Sequence, residues 1–159
     1  MKLALKTIMY IVIAIIVIVA GYLIYMTVTD YKPEEVINLT SNNSKTQILK
    51  SDTPFSIMTF NIGYCGLDEG QDFFMDGGKS SRSKSKEQTL INLEETTKFL
   101  KGENPDIIML QEIDVKSSRS YKVNELEHLE KELIDYSSTF AINYKVPWVP
   151  VPLTKPMGT

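Results

Sequence analysis

Two short apolar segments decide the fold of this chain: FSIMTFN, residues 55–61, and DIIMLQE, residues 106–112. Each has the length and the large or β-branched side chains of a strand, and the first begins just after Pro54. The second is a nearly continuous apolar run, which is typical of a strand covered on both faces. Polar residues end both segments, Asn61 in the first and Gln111-Glu112 in the second.

The segment between these strands has the pattern of a helix with one buried stripe. Ser85 and Gln88 have the spacing of a capping box at its start, and Gly102 and Pro105 end the pattern. The stripe is predicted to contain the residues that recur at helical spacing, namely Leu90, Leu93, Thr97 and Leu100. The order strand, helix, strand predicts a parallel pair joined by a right-handed crossover.

The pattern continues downstream with a second helix and a further strand. The helix would present Leu126, Leu129 and Leu133 on one face, surrounded by charged residues, namely Glu125, Glu127, Glu130, Lys131 and Glu132. The strand is predicted through Phe140, Ile142, Tyr144 and Val146. The prolines that follow exclude a helix or a central strand near the end of the sequence.

The N-terminal segment has the composition of a membrane anchor. Residues 8–26 are dominated by Ile and Val, and no charged residue occurs between Thr7 and Thr29. Such a run is long enough to cross the hydrocarbon core of a bilayer as a helix. A cleaved signal peptide is the competing interpretation, but the run exceeds a usual signal-peptide apolar region and no small-x-small cleavage site follows it.

The flanking charges predict the orientation of this anchor. Lys2 and Lys6 precede the apolar run, whereas Asp30, Glu34 and Glu35 follow it. The positive-inside rule then keeps the short N-terminus in the cytoplasm and predicts a single-pass protein of the cell membrane with an extracytoplasmic C-terminal domain. We expect residues 1–29 to be the anchor, residues 30–53 a polar linker and residues 54–159 the domain.

Composition bears on nucleic-acid binding and on disulfide formation. The chain is 43% hydrophobic and 23% charged with a net charge of -3, so it lacks the basic excess of a dedicated nucleic-acid binder. The only cysteine, Cys65, excludes an internal disulfide.

The polar residues at the two strand ends are candidate metal ligands. Parallel neighbours bring their C-terminal ends to one edge of a sheet, which would place Asn61 beside Glu112. Mg²⁺ prefers oxygen ligands and takes one or two carboxylates, completing its shell with water and phosphate oxygens. The alternative is that Asn61 caps a turn and Glu112 is an ordinary solvated carboxylate.

Several motifs carry a resemblance to a known family. FSIMTFNIGYCGLD, residues 55–68, followed by PDIIMLQEID, residues 105–114, resembles the opening of the endonuclease/exonuclease/phosphatase superfamily. Further motifs, namely FFMDGG at residues 73–78, RSY at 119–121 and FAINYKVPWVPVP at 140–152, are similar to those of membrane-anchored bacterial members.

The resemblance implies a fold, a cofactor and two site residues. The fold would be α/β, the first half of a two-sheet β-sandwich flanked by helices, and thus an incomplete domain. Glu112 matches the metal-binding carboxylate of the family, and Asn61 matches the residue that helps to orient phosphate and metal. The implied cofactor is Mg²⁺ or Mn²⁺, and the implied substrate is a phosphate ester.

The sequence also departs from the family pattern. It contains neither the Asp-x-Asn pair nor the Ser-Asp-His ending whose histidine acts as general base. The only histidine, His128, lies among acidic residues and is interpreted as a surface side chain. We therefore expect a truncated chain with negligible turnover.

Two function classes stay open at this point. The first is a membrane-tethered, Mg²⁺-dependent phosphodiesterase acting on nucleic acid or a phospholipid head group, with membrane lipid as its partner through the anchor and no sign of a protein partner. The second is a non-catalytic membrane-anchored surface module or the product of a decayed gene.

Weaker signals lie around the candidate site. Arg119 follows Glu112 closely and is a candidate for phosphate binding, together with Tyr121 in the same RSY motif. A basic, serine-rich loop is interpreted as flexible and solvated, although its charges could meet phosphates; its charged residues are Lys79, Arg82, Lys84 and Lys86.

Overall fold

The computed structural model describes residues 2–42 and 50–159. Three α-helices are present in these ranges, namely α1 (Lys2–Val28), α2 (Lys86–Glu103) and α3 (Glu125–Glu132). The strands are β1 (Ser41–Asn42), β2 (Ile57–Asn61), β3 (Ile107–Gln111) and β4 (Ser138–Thr139). Two short 3₁₀ turns lie at Gly63–Cys65 and Phe74–Asp76, inside the loop that connects β2 to α2.

Helix α1 is long and apolar enough to span a membrane, and none of its residues is buried by the rest of the chain. Its Ile- and Val-rich surface is exposed along almost its whole length. This finding agrees with the predicted anchor, whose topology and orientation remain predictions.

The two apolar segments form the predicted parallel pair. The register runs from Ile57 opposite Ile107 to Asn61 opposite Gln111, with α2 in the connection between the strands. At the start of the pair, Asp106 accepts hydrogen bonds from the backbone N–H and the hydroxyl of Ser56, at 2.7 and 2.8 Å. These hydrogen bonds fix the register of the two strands, so that both strands end at the same edge of the sheet.

The core lies on one face of this pair, beneath α2 and α3. Buried Leu93 and Leu100 of α2 and Leu129 of α3 belong to it, and the inner side chains of the strands pack against it, namely Met58, Phe60, Ile108 and Leu110. On the outer face, Ile57 and Met109 are exposed. The prediction that β3 is covered on both faces is therefore wrong for the described residues, because only one layer of helices packs on the pair.

Helix α2 begins as predicted, but one residue of its stripe is misplaced. The hydroxyl of Ser85 accepts the backbone N–H of Gln88 at 3.1 Å, as expected for an N-cap. The buried stripe contains Thr89, Leu93, Thr97 and Leu100. Leu90 is exposed, because the i, i+4 spacing continues back from Leu93 to Thr89 rather than to Leu90.

The region after β3 differs more from the prediction. Helix α3 forms and buries Leu129, but it also buries Glu125, which the sequence pattern placed among the solvated charges. The strand predicted through residues 140–146 does not form, since regular pairing is restricted to Ser138–Thr139. Without a neighbouring strand, the alternating apolar residues have no ladder to join.

The fold contains helix and sheet, in agreement with the α/β class, arranged as two sheets of two strands each among the described residues. Strand β1, which lies in the predicted linker, pairs antiparallel with β4. The two-sheet sandwich and the domain boundaries stay predictions. Residues 43–49 of the linker lie outside the described residues.

Candidate functional site

The side chains of Asn61 and Glu112 meet at the C-terminal edge of the β2–β3 pair. Asn61 ends β2 opposite Gln111, and Glu112 follows β3 directly. The amide nitrogen of Asn61 donates a hydrogen bond to one carboxylate oxygen of Glu112, Oε1, at 3.0 Å. The convergence predicted from the strand order is therefore present, and the role of the pair as a metal site remains a prediction.

A tight turn orients the amide of Asn61. Its Oδ1 accepts the backbone N–H of Gly63 at 2.9 Å, which is an Asx-type turn, and Gly63 has a φ of +54°. Beyond the strands, Ile62 and Tyr64 donate backbone hydrogen bonds to the carbonyl groups of Gln111 and Glu112, at 3.1 and 2.9 Å. The turn therefore directs the amide nitrogen of Asn61, rather than its oxygen, toward Glu112.

Arg119 holds the second oxygen of Glu112 and both oxygens of Asp114. Its Nη1 lies 3.2 Å from Glu112 Oε2, while Nε and Nη2 lie 3.0 Å from the two carboxylate oxygens of Asp114. The side chain of Arg119 is 19% exposed and that of Asp114 is 10% exposed, whereas that of Glu112 is 40% exposed. The two carboxylates and one guanidinium leave one net negative charge, and its accessible part is Glu112.

Burial and charge act in opposite directions on Arg119. Burial tends to lower the pKa of its guanidinium, but the hydrogen bonds and charge of Asp114 act together with the charge of Glu112 in the opposite direction, so the net pKa is raised. The guanidinium therefore stays charged and remains a donor to both carboxylates.

Tyr64 forms the floor under Arg119. The guanidinium carbon lies 4.1 Å from the centre of the Tyr64 ring, which is the geometry of a cation–π contact. Tyr64 is buried, and burial raises the pKa of its hydroxyl to about 12. Gly66 is needed beside it, because a Cβ at position 66 would lie 2.2 Å from Tyr64 Cε2.

Glu125 supports the loop from the side of α3. It is fully buried, and its Oε2 accepts the backbone N–H of Asp114 at 2.7 Å. Burial raises its pKa to about 8, although the hydrogen bond from Asp114 acts in the opposite direction. Sequence reasoning missed Glu125, since a glutamate in a strongly charged helix carries no signal that it is buried.

The weaker candidates lie around this network in other roles. The hydroxyl of Tyr121 donates to the carbonyl oxygen of Lys84 at 3.3 Å, so it joins two loops. Ser81 and Ser83 of the basic loop are fully buried, and the backbone N–H of Ser83 donates to the carbonyl oxygen of Arg119 at 2.9 Å. The interpretation of this loop as solvated is therefore wrong at Ser81 and Ser83. His128 faces Glu94 of α2, with 3.6 Å between Nε2 and Oε2.

Few side chains at this edge are of the kinds that bind metal ions. Among residues 2–42 and 50–159, no group of three or more His, Cys, Asp or Glu side chains is placed to hold a metal ion. The assignment of Glu112 and Asn61 as metal ligands therefore stays a prediction. No family model, no curated protein and no solved structure matches this chain.

Proposed function

We propose that this chain carries the metal-binding part of a membrane-tethered phosphoesterase, which binds Mg²⁺ or Mn²⁺ at Glu112 and acts on a phosphodiester outside the cytoplasm only where a general base is also present. The observation that carries the proposal is the meeting of Asn61 and Glu112 from neighbouring parallel strand ends. The proposed reaction class rests on the resemblance of the motifs around both residues to the endonuclease/exonuclease/phosphatase superfamily. The apolar helix α1 supports the tether.

The chemistry of Glu112 fits a cation with few protein ligands. A carboxylate offers about four lone-pair positions, and Glu112 uses one on each oxygen, for Asn61 and Arg119. Because its side chain is 40% exposed, a hydrated ion can reach the remaining positions. Mg²⁺ is commonly bound by one or two carboxylates together with water and phosphate oxygens.

Each neighbour of Glu112 has a distinct role in this proposal. Asn61 and Arg119 fix the carboxylate from its two sides, and Asp114 offsets the charge of Arg119 that would otherwise repel a cation. Arg119 has its guanidinium engaged by two carboxylates, so it positions Glu112 rather than binding phosphate itself. A bound divalent ion would act as a Lewis acid on a phosphoryl oxygen.

The substrate class follows from the same chemistry. A phosphodiester presents the anionic oxygens that complete the shell of a hard divalent ion, in a nucleic acid or in a phospholipid head group alike. A single negative charge at the site would not repel such a substrate strongly once the ion is bound.

A non-catalytic membrane-anchored module is the second candidate. The observation that favours it is the absence of a three-residue metal-ligand group among the described residues. In that case the hydrogen bonds among Asn61, Glu112 and Arg119 would only hold the C-terminal ends of β2 and β3 together.

Metal binding and hydrolysis separate the two candidates. Binding of Mn²⁺ to the full-length protein in detergent is measured from the loss of the free-ion signal in electron paramagnetic resonance. Glu112→Gln should abolish binding, whereas Glu95→Gln, a change at an exposed glutamate of α2, should not. Binding of Mn²⁺ that depends on Glu112 supports the enzyme, and no binding supports the non-catalytic module. Because the general base is missing from this sequence, little hydrolysis of bis-p-nitrophenyl phosphate is expected here. In a form that also carries the Asp-x-Asn and Asp-His elements, Mn²⁺-dependent hydrolysis should fall by orders of magnitude in Glu112→Gln.

A further inference from the structure

Helix α1 touches the rest of the chain near its C-terminal end. Tyr22 and Met26, four residues apart and therefore on one face, are the two residues of α1 that are partly shielded among those described. The hydroxyl of Tyr22 donates a hydrogen bond to the carbonyl oxygen of Trp148 at 3.3 Å. The segment from Lys145 to Trp148 therefore lies against this end of the helix.

A pocket separates that segment from the residues that follow α1. Its volume is about 300 Å³, and it is lined by Thr29, Asp30, Tyr31 and Lys32 on one side and by Lys145, Val146 and Pro147 on the other. The hydrogen bond to Tyr22 and the pocket lining are separate observations, and both place the same segment at the end of the helix.

The length of α1 fixes the depth of this arrangement in a bilayer. At a rise of 1.5 Å per residue, the apolar run from Ile8 to Met26 is roughly 28 Å long, close to the thickness of the hydrocarbon core. One boundary of the core then falls near Met26. The carbonyl group of Trp148 is bonded to Tyr22, about one helical turn before Met26, so Trp148 lies close to this boundary, and the pocket beyond Val28 lies in the headgroup layer.

The side chains at this level suit a lipid surface. Trp148 is 39% exposed and Tyr25 and Tyr144 are also exposed, and such aromatic residues concentrate at membrane interfaces. Lys32 and Lys145 are exposed at the pocket, and with Asp30 they leave one net positive charge. Basic residues next to a membrane helix attract anionic phospholipids.

We propose that the segment Lys145–Trp148 rests on the outer surface of the bilayer, and that the pocket receives the phosphate of an anionic phospholipid, held by Lys32 and Lys145. This inference depends on α1 crossing the membrane and not on the metal site at Glu112. The domain is then seated on the lipid rather than held away from it by the linker.

The tryptophan fluorescence of the protein reports the depth of Trp148 in the bilayer, because Trp148 is the only tryptophan of the chain. The full chain is reconstituted in phosphatidylcholine vesicles containing phosphatidylglycerol, and its fluorescence is quenched by lipids that carry a spin label near the headgroup or near the bilayer centre. Stronger quenching by the headgroup-proximal label is expected. Quenching by aqueous iodide with no response to either lipid label would overturn the seat on the bilayer, and would leave a protein partner as the occupant of this surface.

The lipid preference is measured by energy transfer from Trp148 to dansyl-labelled lipids. Transfer to dansyl-phosphatidylglycerol should exceed transfer to dansyl-phosphatidylcholine, and Lys32→Gln and Lys145→Gln should each reduce this preference by up to about fivefold. Lys98→Gln, at an exposed lysine of α2, should leave it unchanged. Inorganic phosphate should not compete. Equal transfer to both lipids refutes the headgroup site. A loss of preference in Lys98→Gln that equals the loss in the Lys32 and Lys145 variants also refutes it.

Discussion

Glu125 is fully buried and accepts the backbone N–H of Asp114 through one carboxylate oxygen, at 2.7 Å. Its other oxygen has no hydrogen-bond partner in the part of the chain that the structure describes. Asp114 in turn binds Arg119, which holds Glu112. The candidate site is thus supported by a buried carboxyl group in α3, and the protonation of that group should matter for stability.

The stability of the protein should fall with rising pH because of Glu125. Burial raises its pKa to about 8 from an ordinary value of 4.5, so the folded state binds this proton more tightly than the unfolded state. The stabilisation is fully present below about pH 4.5 and is lost as the pH rises toward about 8. Glu125→Gln keeps an acceptor for Asp114 and removes this titration.

The comparison is made by thermal denaturation followed by circular dichroism, at about pH 6 and about pH 9, with the chain in detergent. Between these two pH values, the free energy of unfolding of the wild type should fall by up to a few kcal/mol more than that of Glu125→Gln. The matched control is Glu95→Gln, at a solvent-exposed position, which should follow the wild type. Parallel pH dependence of all three proteins would show that Glu125 is ionised in the folded state.

The core beneath the parallel pair should be sensitive at Leu93 and tolerant at Leu90. Leu93 is 0% exposed, so Leu93→Ala should lower the free energy of unfolding by about 2–5 kcal/mol through lost burial and a residual cavity. Leu90 is 44% exposed, and Leu90→Ala should cost about 0.5 kcal/mol or less. Denaturant titration of the two variants measures both values, and similar losses at the two positions would contradict the observed orientation of α2.

These two leucines also show what the sequence could predict. The N-cap at Ser85 and the parallel strands depend on local patterns and on a connection rule, so both were predictable. The stripe was ambiguous, because a helical repeat allows either Thr89 or Leu90 one turn before Leu93. Hydrophobicity favoured Leu90 as the buried residue. In the structure, however, the face of α2 that packs toward the strands carries Thr89.

The candidate site was predictable only at its strand ends. Asn61 and Glu112 follow from strand order, but the loop that brings Arg119 back to Glu112 depends on non-glycine residues with positive φ, which propensity does not indicate. Glu112, Tyr121 and Lys122 have φ values of 56°, 55° and 62°. Tertiary contacts select such conformations, and a single sequence carries little signal for them.

Two glycines should respond in opposite directions to substitution by alanine. At Gly66 the new Cβ would lie 2.2 and 2.6 Å from Tyr64 Cε2 and Cδ2, so the buried ring or the backbone at position 66 must shift. Gly66→Ala should therefore destabilise the protein by about 1–3 kcal/mol. Gly102 lies in α2, and apart from the backbone of its own helix no described atom would come within 4 Å of a Cβ added there, so Gly102→Ala should stabilise by up to about 1 kcal/mol. Thermal denaturation gives the sign of each change, and stabilisation by Gly66→Ala would contradict the close approach of Tyr64.

Replacement of Asn61 by aspartate should increase the stabilisation of the protein by a bound divalent ion. Asn61→Asp keeps the acceptor for the backbone N–H of Gly63 but replaces the amide that donates to Glu112 with a second carboxylate. Without metal, repulsion between the two carboxylates should lower the free energy of unfolding by about 1–2 kcal/mol. With Mn²⁺, two carboxylates at one strand edge form a stronger cation site, because charge and oxygen ligands both increase.

Rescue by metal is the decisive measurement for this variant. Mn²⁺ at a hundredfold excess over its dissociation constant should stabilise Asn61→Asp by about 2.7 kcal/mol, which exceeds the expected loss. Asn61→Ala also loses the hydrogen bond to Glu112 but adds no ligand, so the ion should raise its melting temperature no more than it raises that of the wild type. Equal shifts in the two variants would mean that Asn61 and Glu112, although adjacent, do not face a common cation, because a carboxylate placed beside a genuine metal position must strengthen binding there.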